Sequence, residues 1–331
     1  MNTLPTPSKN VRLGVIGLGE HSNRSHISYL AEMPDLCTIT ALADIDEQRI
    51  ARVNHDYGLG AKEFTDWQQM VDGESTDAEL IMTPDRFHTV QLVGAVAAGK
   101  HVFCEKPLAS TLSEYMALKE ALRVAKEKDL VVSTCHPRRF DPPFITAREF
   151  LQNPAEMYDT FGTQGELGVV KSFDFSFDYH EPSKHGLHNS LMFDHLNHEV
   201  DLMHFLFGKS DVKDMIKHSD SETEFHVSGV REDSIAFSFM GSRKLKEQIY
   251  AEKMKITFED GTLEVNMHTG EAMLGLGQQV YPLQDERFKT DYVKRFTDIN
   301  RHFLRSVLGL EAPYISAQEM LINTKAAIDL S

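Results

Sequence analysis

An N-terminal doubly wound parallel α/β domain followed by an α+β domain is the fold class this sequence predicts. Three observations predict it. As far as Thr134, apolar strand patterns alternate with helical ones, which marks βαβ units around a parallel sheet. A Gly17-Leu18-Gly19 turn follows the first strand pattern. After Pro142-Pro143, alternating strand patterns dominate and helices become few. The 331 residues suffice for two domains. The division is placed at 1–137 and 138–331, with the last helices able to pack back on the first domain.

The elements follow in order. Val11–Ile16 is an apolar strand, and Ser25–Met33 is a short helical pattern stopped by Pro34. Cys37–Ala43 is a strand rich in β-branched residues, and Glu47–Tyr57 is a helix closing at Gly58. Asp66–Val71 reads as a helix and Glu79–Met82 as a strand ending at Thr83-Pro84. His88–Ala98 is a helix, His101–Cys104 a buried strand, and Ser113–Lys128 a long helix with Ser113 as its N-cap. Leu130–Thr134 is one more strand. In the second half, helices span Thr146–Leu151 and Leu191–Phe207. Strands include Val169–Tyr179, Ser234–Met240, Lys246–Glu252, Met254–Glu259 and Thr262–Met267, with a hairpin turn at Glu259-Asp-Gly261. The sheet is antiparallel or mixed with helices on one face. Two helices, Tyr292–Leu308 and Ser316–Leu330, close the chain.

Composition narrows function. Lys and Arg total 34 against 50 Asp and Glu, a net charge of -16. That excludes the basic footprint a nucleic acid or an anionic membrane surface needs. Cys37, Cys104 and Cys135 lack metal-ligand spacing and read as reduced thiols. Met1–Asn10 is polar and has no apolar core of a signal peptide, and no run is long enough to span a membrane. A cytoplasmic location is expected.

Gly17 and Gly19 sit between a strand and a helix, where a glycine turn lets backbone approach a pyrophosphate at the helix N-terminus. Glu20, His21 and Ser22 continue the loop, and Ser22 stands where a third glycine is usual. Asp44 closes the second strand, where a carboxylate binds a ribose 2′-hydroxyl and repels a 2′-phosphate. No basic residue follows until Arg49, so NAD is favoured over NADP. Glu105-Lys106-Pro107 ends a strand on the side where open sheets bind ligands, and Pro107 fixes the turn that aims the lysine.

Asp194, His198 and Asp201 share one face of the 191–207 helix. An aspartate one turn from a histidine suits a general base near neutral pH. Met192, Leu196, Val200, Met203 and Phe207 form an opposing apolar stripe, and Leu191, Leu202 and Phe205 flank the polar side. A helix apolar on both sides is buried on both. His188, Asp194, His195, His198 and His204 are dense, but their spacing does not match tetrahedral or two-histidine–carboxylate sites, so no metal is assigned.

Together these residues resemble the Gfo/Idh/MocA oxidoreductases over nearly the full length. The resemblance rests on the Gly17–Gly19 turn with Asp44, on Thr83-Pro84-Asp85-Arg86-Phe87-His88, and on Glu105-Lys106-Pro107. It rests also on Arg138-Arg139-Phe140-Asp141-Pro142, on Asp194-x3-His198-x2-Asp201, and on the run from Phe303 to Ser331. The nearest sub-group is the one labelled virulence factor MviM-like. The resemblance implies a Rossmann domain and a mostly antiparallel open sheet that often builds a dimer interface. It implies a nicotinamide cofactor held by Gly17, Gly19, Glu20, His21, Ser22, Asp44, Thr83, Pro84, His88, Glu105 and Lys106. It implies that Lys106 touches substrate and cofactor ribose, with a bond to Pro107 that admits the cis form. It implies that Asp194 orients substrate and His198 takes the hydroxyl proton. Substrate contacts are expected from Lys106, His136, Arg139, Tyr179, His180, Asp194 and His198, with His185 and His188 as further candidates.

The chain departs from the family pattern at His188-Asn189-Ser190, at His195-Leu196-Asn197 and at His136, where Asn is usual. These positions cluster where substrate is chosen. The resulting expectation is an NAD-dependent dehydrogenase or reductase of a sugar, cyclitol or polyol, as a homodimer or homotetramer. An NAD-dependent glycosidase and a non-catalytic nucleotide-binding protein are the alternatives.

Overall fold

The structure, a computed structural model, describes residues 10–155, 158, 166–179, 190–244 and 250–331. The chain divides into two compact units, Met1–Pro137 with Phe296–Thr324, and Arg138–Arg295 with Lys325–Ser331.

The first unit carries six strands: β1 (Val11–Ile16), β2 (Cys37–Ala43), β3 (Lys62–Phe64), β4 (Ala78–Ile81), β5 (His101–Cys104) and β6 (Val132–Thr134). All pair in parallel, in the order β3-β2-β1-β4-β5-β6. The order reverses between β1 and β4, and open sheets take ligands beyond the carboxyl ends of strands at such a switch point. β3 escaped the sequence pattern because it is a three-residue edge strand with no fully buried side chain.

Helix α1 is a composite of Glu20–Ser22, a π-helical stretch Asn23–Ile27 and Ser28–Leu30. It begins five residues before the expected Ser25, because Gly19 is extended (φ -66°, ψ 176°) and acts as its N-cap. The next helices are α2 (Glu47–Asp56), α3 (Trp67–Val71), α4 (His88–Ala97) and α5 (Leu112–Glu127). Asp46 and Asp66 cap α2 and α3 with side-chain bonds. The cap of α5 is Thr111, not Ser113: its hydroxyl accepts from Glu114 N while the Glu114 carboxylate accepts from Thr111 N.

The second unit holds α6 (Pro142–Gln152), β7 (Val170–Tyr179), α7 (Leu191–Phe207), β8 (Val212–Asp220), β9 (Glu224–Arg231) and β10 (Ala236–Ser242). β11 (Tyr250–Phe258), β12 (Gly261–Asn266), β13 (Glu271–Leu276) and β14 (Gln279–Gln284) follow. The sheet order is β14-β13-β12-β11-β7-β10-β9-β8, antiparallel except for β7 beside β10. The prolines expected to precede a helix at Thr146 instead start α6, in the first turn, where a missing N–H costs nothing. The two strands expected on either side of Lys253 are one. Burial alternates without a break from Glu252 to Phe258, with Glu252 on the inward side. Residues 245–249 lie outside the described residues.

Helices α8 (Tyr292–Val307) and α9 (Ala317–Leu330) end the chain. Phe173, Phe175 and Phe177 of β7 and Phe237 and Phe239 of β10 line the buried face of the large sheet. No helix among the described residues is long and apolar enough to cross a membrane.

Candidate active site

The dinucleotide turn is built by close backbone approach. Gly17 has φ +90°, and a Cβ there would lie 2.8 Å from the carbonyl carbon and oxygen of Met82. Only glycine lets β1 end this close to β4. Leu18 N then donates to Asp44 Oδ2 at 2.8 Å, tying the turn to the end of β2. Gly19 caps α1 with no side-chain hydrogen bond and faces open space. Ser22 Oγ is buried without a partner. A bare helix N-terminus, open space at Gly19 and an orphaned hydroxyl together fit a dinucleotide phosphate.

Glu20 and His21 are exposed at the rim of this turn. The Asp44 side chain is buried, and Arg49 reaches it with Nη1 at 3.2 Å from both oxygens. Arg49, the first basic residue after Asp44 in the sequence, thus reaches back from the first turn of α2, which Asp46 caps.

Glu105, Lys106 and Pro107 follow β5, with a cis Lys106–Pro107 bond. His88, expected to touch cofactor, is buried. Its Nδ1 lies 2.8 Å from Pro107 O and its Nε2 2.6 Å from Thr83 O. Both nitrogens are thereby occupied, so His88 braces the Thr83-Pro84 turn against the lysine's own turn. Thr83 Oγ1 in turn donates to Gln91. Glu105 is a brace too: Oε2 accepts from Lys106 N at 3.1 Å, and Oε1 faces His21 and His26. Burial alone would raise its carboxyl, but hydrogen bonds from the two imidazoles outweigh that and hold it well below the usual carboxylate range. Lys106 itself is half-buried, and His136, just past β6, is buried.

In the second unit, Ser190 caps α7 by accepting from Phe193 N, and Gly208 (φ +80°) ends it. Arg231 secures that end with Nη1 on Met203 O and Nη2 on Gly208 O. The first ten residues of α7 are buried except His198. A buried helix with one accessible imidazole is what a general base requires.

Asp194 accepts from Arg243 Nη2 at 2.9 Å, and His195 Nε2 lies 3.6 Å from the same carboxylate oxygen. Arg243 Nε donates to Tyr179 OH at 2.9 Å, and that hydroxyl lies 3.0 Å from His195 Nε2. Tyr179, Asp194, His195 and Arg243 therefore form one network. Arg243 carried no sequence signal, since it follows β10 far from the helix it serves. His204, weighed above as a metal ligand, has Nε2 3.1 Å from Ser210 O. His180, His185 and His188 lie outside the described residues.

Arg139, expected to contact substrate, is committed elsewhere. Its Nε and Nη2 form a fork onto Asp201 at 2.9 and 2.7 Å, with both side chains buried. Asp201 therefore anchors α7, so the polar face read from the sequence is not uniform: Asp201 is forked by Arg139, while Asp194 is met by Arg243. Next to it, Arg138 bonds Glu199 at 2.9 Å and Glu252 at 2.8 Å, and Arg295 bonds Asp141 at 3.0 Å. Burial raises Glu199 to about 7 against the pull of Arg138, and Asp141 to about 6 against Arg295.

A glycine turn at a switch point with a lysine one strand away is the arrangement of a dinucleotide-binding domain. Residues 11–136 match the sequence profile of the oxidoreductase family with an NAD-binding Rossmann fold, Gfo/Idh/MocA. Inositol 2-dehydrogenase of Corynebacterium glutamicum is 25% identical over 87% of this chain and 82% of its own. The NADP-dependent scyllo-inositol 2-dehydrogenase of Bacillus subtilis is 24% identical over 60% of this chain and 55% of its own. Levoglucosan dehydrogenase in complex with NADH and levoglucosan superposes with a TM-score of 0.78 at 17% identity, over 97% of this chain and 96% of that one. Over residues 11–136 the chain matches the Gfo/Idh/MocA oxidoreductases, and over 87% of its length it is similar to an inositol 2-dehydrogenase.

Proposed function

We propose that the protein is an NAD-dependent dehydrogenase or reductase acting on a secondary alcohol, or the matching ketone, of a sugar, cyclitol or related polyol. The observation that carries this is His198, the accessible imidazole one turn from Asp194 on an otherwise buried stretch of α7. In this reading His198 takes the hydroxyl proton of the substrate. Asp194, held by Arg243, orients the neighbouring hydroxyls. Lys106 Nζ donates to the reacting oxygen and offsets the negative charge it gathers. The nicotinamide, when bound, supplies the hydride acceptor, or the donor in the reverse direction. Gly17, Gly19, Ser22 and Asp44 hold the dinucleotide. The polyol class is supported by the inositol dehydrogenase relatives.

NADP is a second reading, favoured by Arg49, whose guanidinium beside Asp44 is suited to a 2′-phosphate. A homodimer or homotetramer belongs to the same proposal.

The test is a sugar and polyol panel followed by absorbance at the reduced nicotinamide band. On the substrate so found, His198→Ala and Lys106→Ala should each lower kcat by about 10²–10⁴-fold, while fluorescence titration shows dinucleotide still bound. Near-normal turnover in both variants rejects the assignment. Release of free sugar from a nitrophenyl glycoside with no net NADH would point instead to a glycosidase.

A further inference from the structure

Three ligand-type atoms converge beneath the glycine turn of the first unit. His21 Nε2 lies 3.0 Å and His26 Nε2 3.3 Å from the same oxygen, Glu105 Oε1. All three atoms lie within 4.8 Å of one another. The spacing in sequence hides this group. In an α-helix, residues five apart diverge by roughly 140°. The π-helical stretch Asn23–Ile27 changes that, because its i→i+5 pattern returns the fifth residue to nearly the same face. It turns both imidazoles toward the end of β5.

The hydrogen bonds fix what His26 presents. Asn300 Nδ2 donates to Ser25 O and Phe296 O at 3.2 and 2.8 Å, so its Oδ1 is the atom facing His26 Nδ1 at 2.8 Å. Nδ1 must therefore carry the proton. With Nδ1 engaged by Asn300, His26 turns Nε2 to Glu105 Oε1 at 3.3 Å, the same oxygen that His21 Nε2 faces. The His26 side chain is 0% exposed, so water has no access to intervene. His21 has the same outer arrangement, with Ser25 Oγ 3.3 Å from its Nδ1. An imidazole that binds metal through one nitrogen is commonly oriented by an oxygen on the other.

We infer that His21 Nε2, His26 Nε2 and Glu105 Oε1 form a site for a divalent, zinc-class cation. Two imidazoles and one carboxylate are the donor set such ions favour, with a remaining position open to solvent. That opening lies on the side of His21, whose side chain is 49% exposed. A bound ion pins the first turn of α1 to the residue preceding Lys106. The site needs no assumption about the reaction, and its failure would leave the dehydrogenase reading intact.

The experiment uses chelator-treated full-length protein. Zn²⁺ is titrated against a chromophoric chelator, and Co²⁺ is followed by its visible ligand-field band. One tight equivalent is expected, with a cobalt band of low coordination number. His21→Ala and Glu105→Gln should each weaken Zn²⁺ by at least about tenfold, with circular dichroism confirming the fold. His55→Ala, at an exposed histidine, should bind as the parent does. No cobalt band, or equal Zn²⁺ affinity in His21→Ala and parent, overturns the site and leaves the contacts of His21 and His26 with Glu105 as hydrogen bonds alone.

Discussion

The glycine turn of the first unit and helix α7 of the second are both candidate working surfaces, and they are held by opposite means. The turn is positioned by backbone: Gly17 against Met82, Leu18 N on Asp44, Asn23 Nδ2 on the carbonyls of Leu18 and Gly19. Most of those partners are near in sequence or come from adjacent strands. Helix α7 is held by buried charge: Arg139 on Asp201, Arg138 on Glu199 and Glu252, Arg243 on Asp194. Each of those pairs closes a long loop of chain. Backbone positioning tolerates side-chain change, whereas a buried ion pair fails when one partner is lost, because the other remains charged and unsolvated.

The largest effect should therefore come from α7. Arg139→Ala leaves Asp201 buried without its fork, and urea unfolding of the full chain should show a loss of about 3–5 kcal/mol. Converting the pair together, with Arg139→Met and Asp201→Leu, should recover most of that loss. If Arg139→Ala costs under about 1 kcal/mol, the pair behaves like a surface bridge and the contrast between the two regions collapses.

The same contrast explains what the sequence could reveal. Gly17, Gly19 and Asp44 were legible because strand, turn and helix follow one another directly, so local pattern is the structure. The face of α7 was legible as a periodicity, and so was its burial. Its fastenings were not. Nothing local distinguishes Asp201, forked by Arg139, from Asp194, proposed to orient substrate, since both sit on one face. Only the partner arginines separate them, and those come from residues 139 and 243. For His88 the motif marks its place, but only the structure shows its ring nitrogens on the carbonyls of Thr83 and Pro107. The group His21, His26 and Glu105 was hidden by a π-turn that no periodicity analysis anticipates.

A second, smaller effect is a pH dependence. Glu199 has its carboxyl raised by burial from 4.5 to about 7 in the folded state. The folded protein then binds the proton more tightly than the unfolded chain, so this group stabilises fully below pH 4.5 and loses its contribution as pH rises through about 7. Asp141, raised to about 6, has the same sign. Glu199→Gln should flatten the fall in unfolding free energy between pH 5 and pH 8 by about 1–3 kcal/mol, measured as urea midpoints across that window. An unchanged slope would mean that Arg138 keeps Glu199 ionised throughout, and that the charges around α7 are balanced by arginine alone.

The smallest effect belongs to the first unit, where a single ion pair sits on the backbone frame. Arg49 lies 3.2 Å from both oxygens of Asp44 and is more than a third exposed. Because Leu18 N also holds that carboxylate, removing the guanidinium should leave the turn in place. Arg49→Gln should thus change stability by less than about 1 kcal/mol. Its effect is on cofactor choice. With Asp44 free to receive a ribose 2′-hydroxyl and no cation left for a 2′-phosphate, the ratio of NAD to NADP affinity should rise by about tenfold. If instead NAD affinity falls and NADP is unaffected, Arg49 orients Asp44 for NAD rather than offering a phosphate site. The turn would then depend on a side-chain charge pair in the way α7 does.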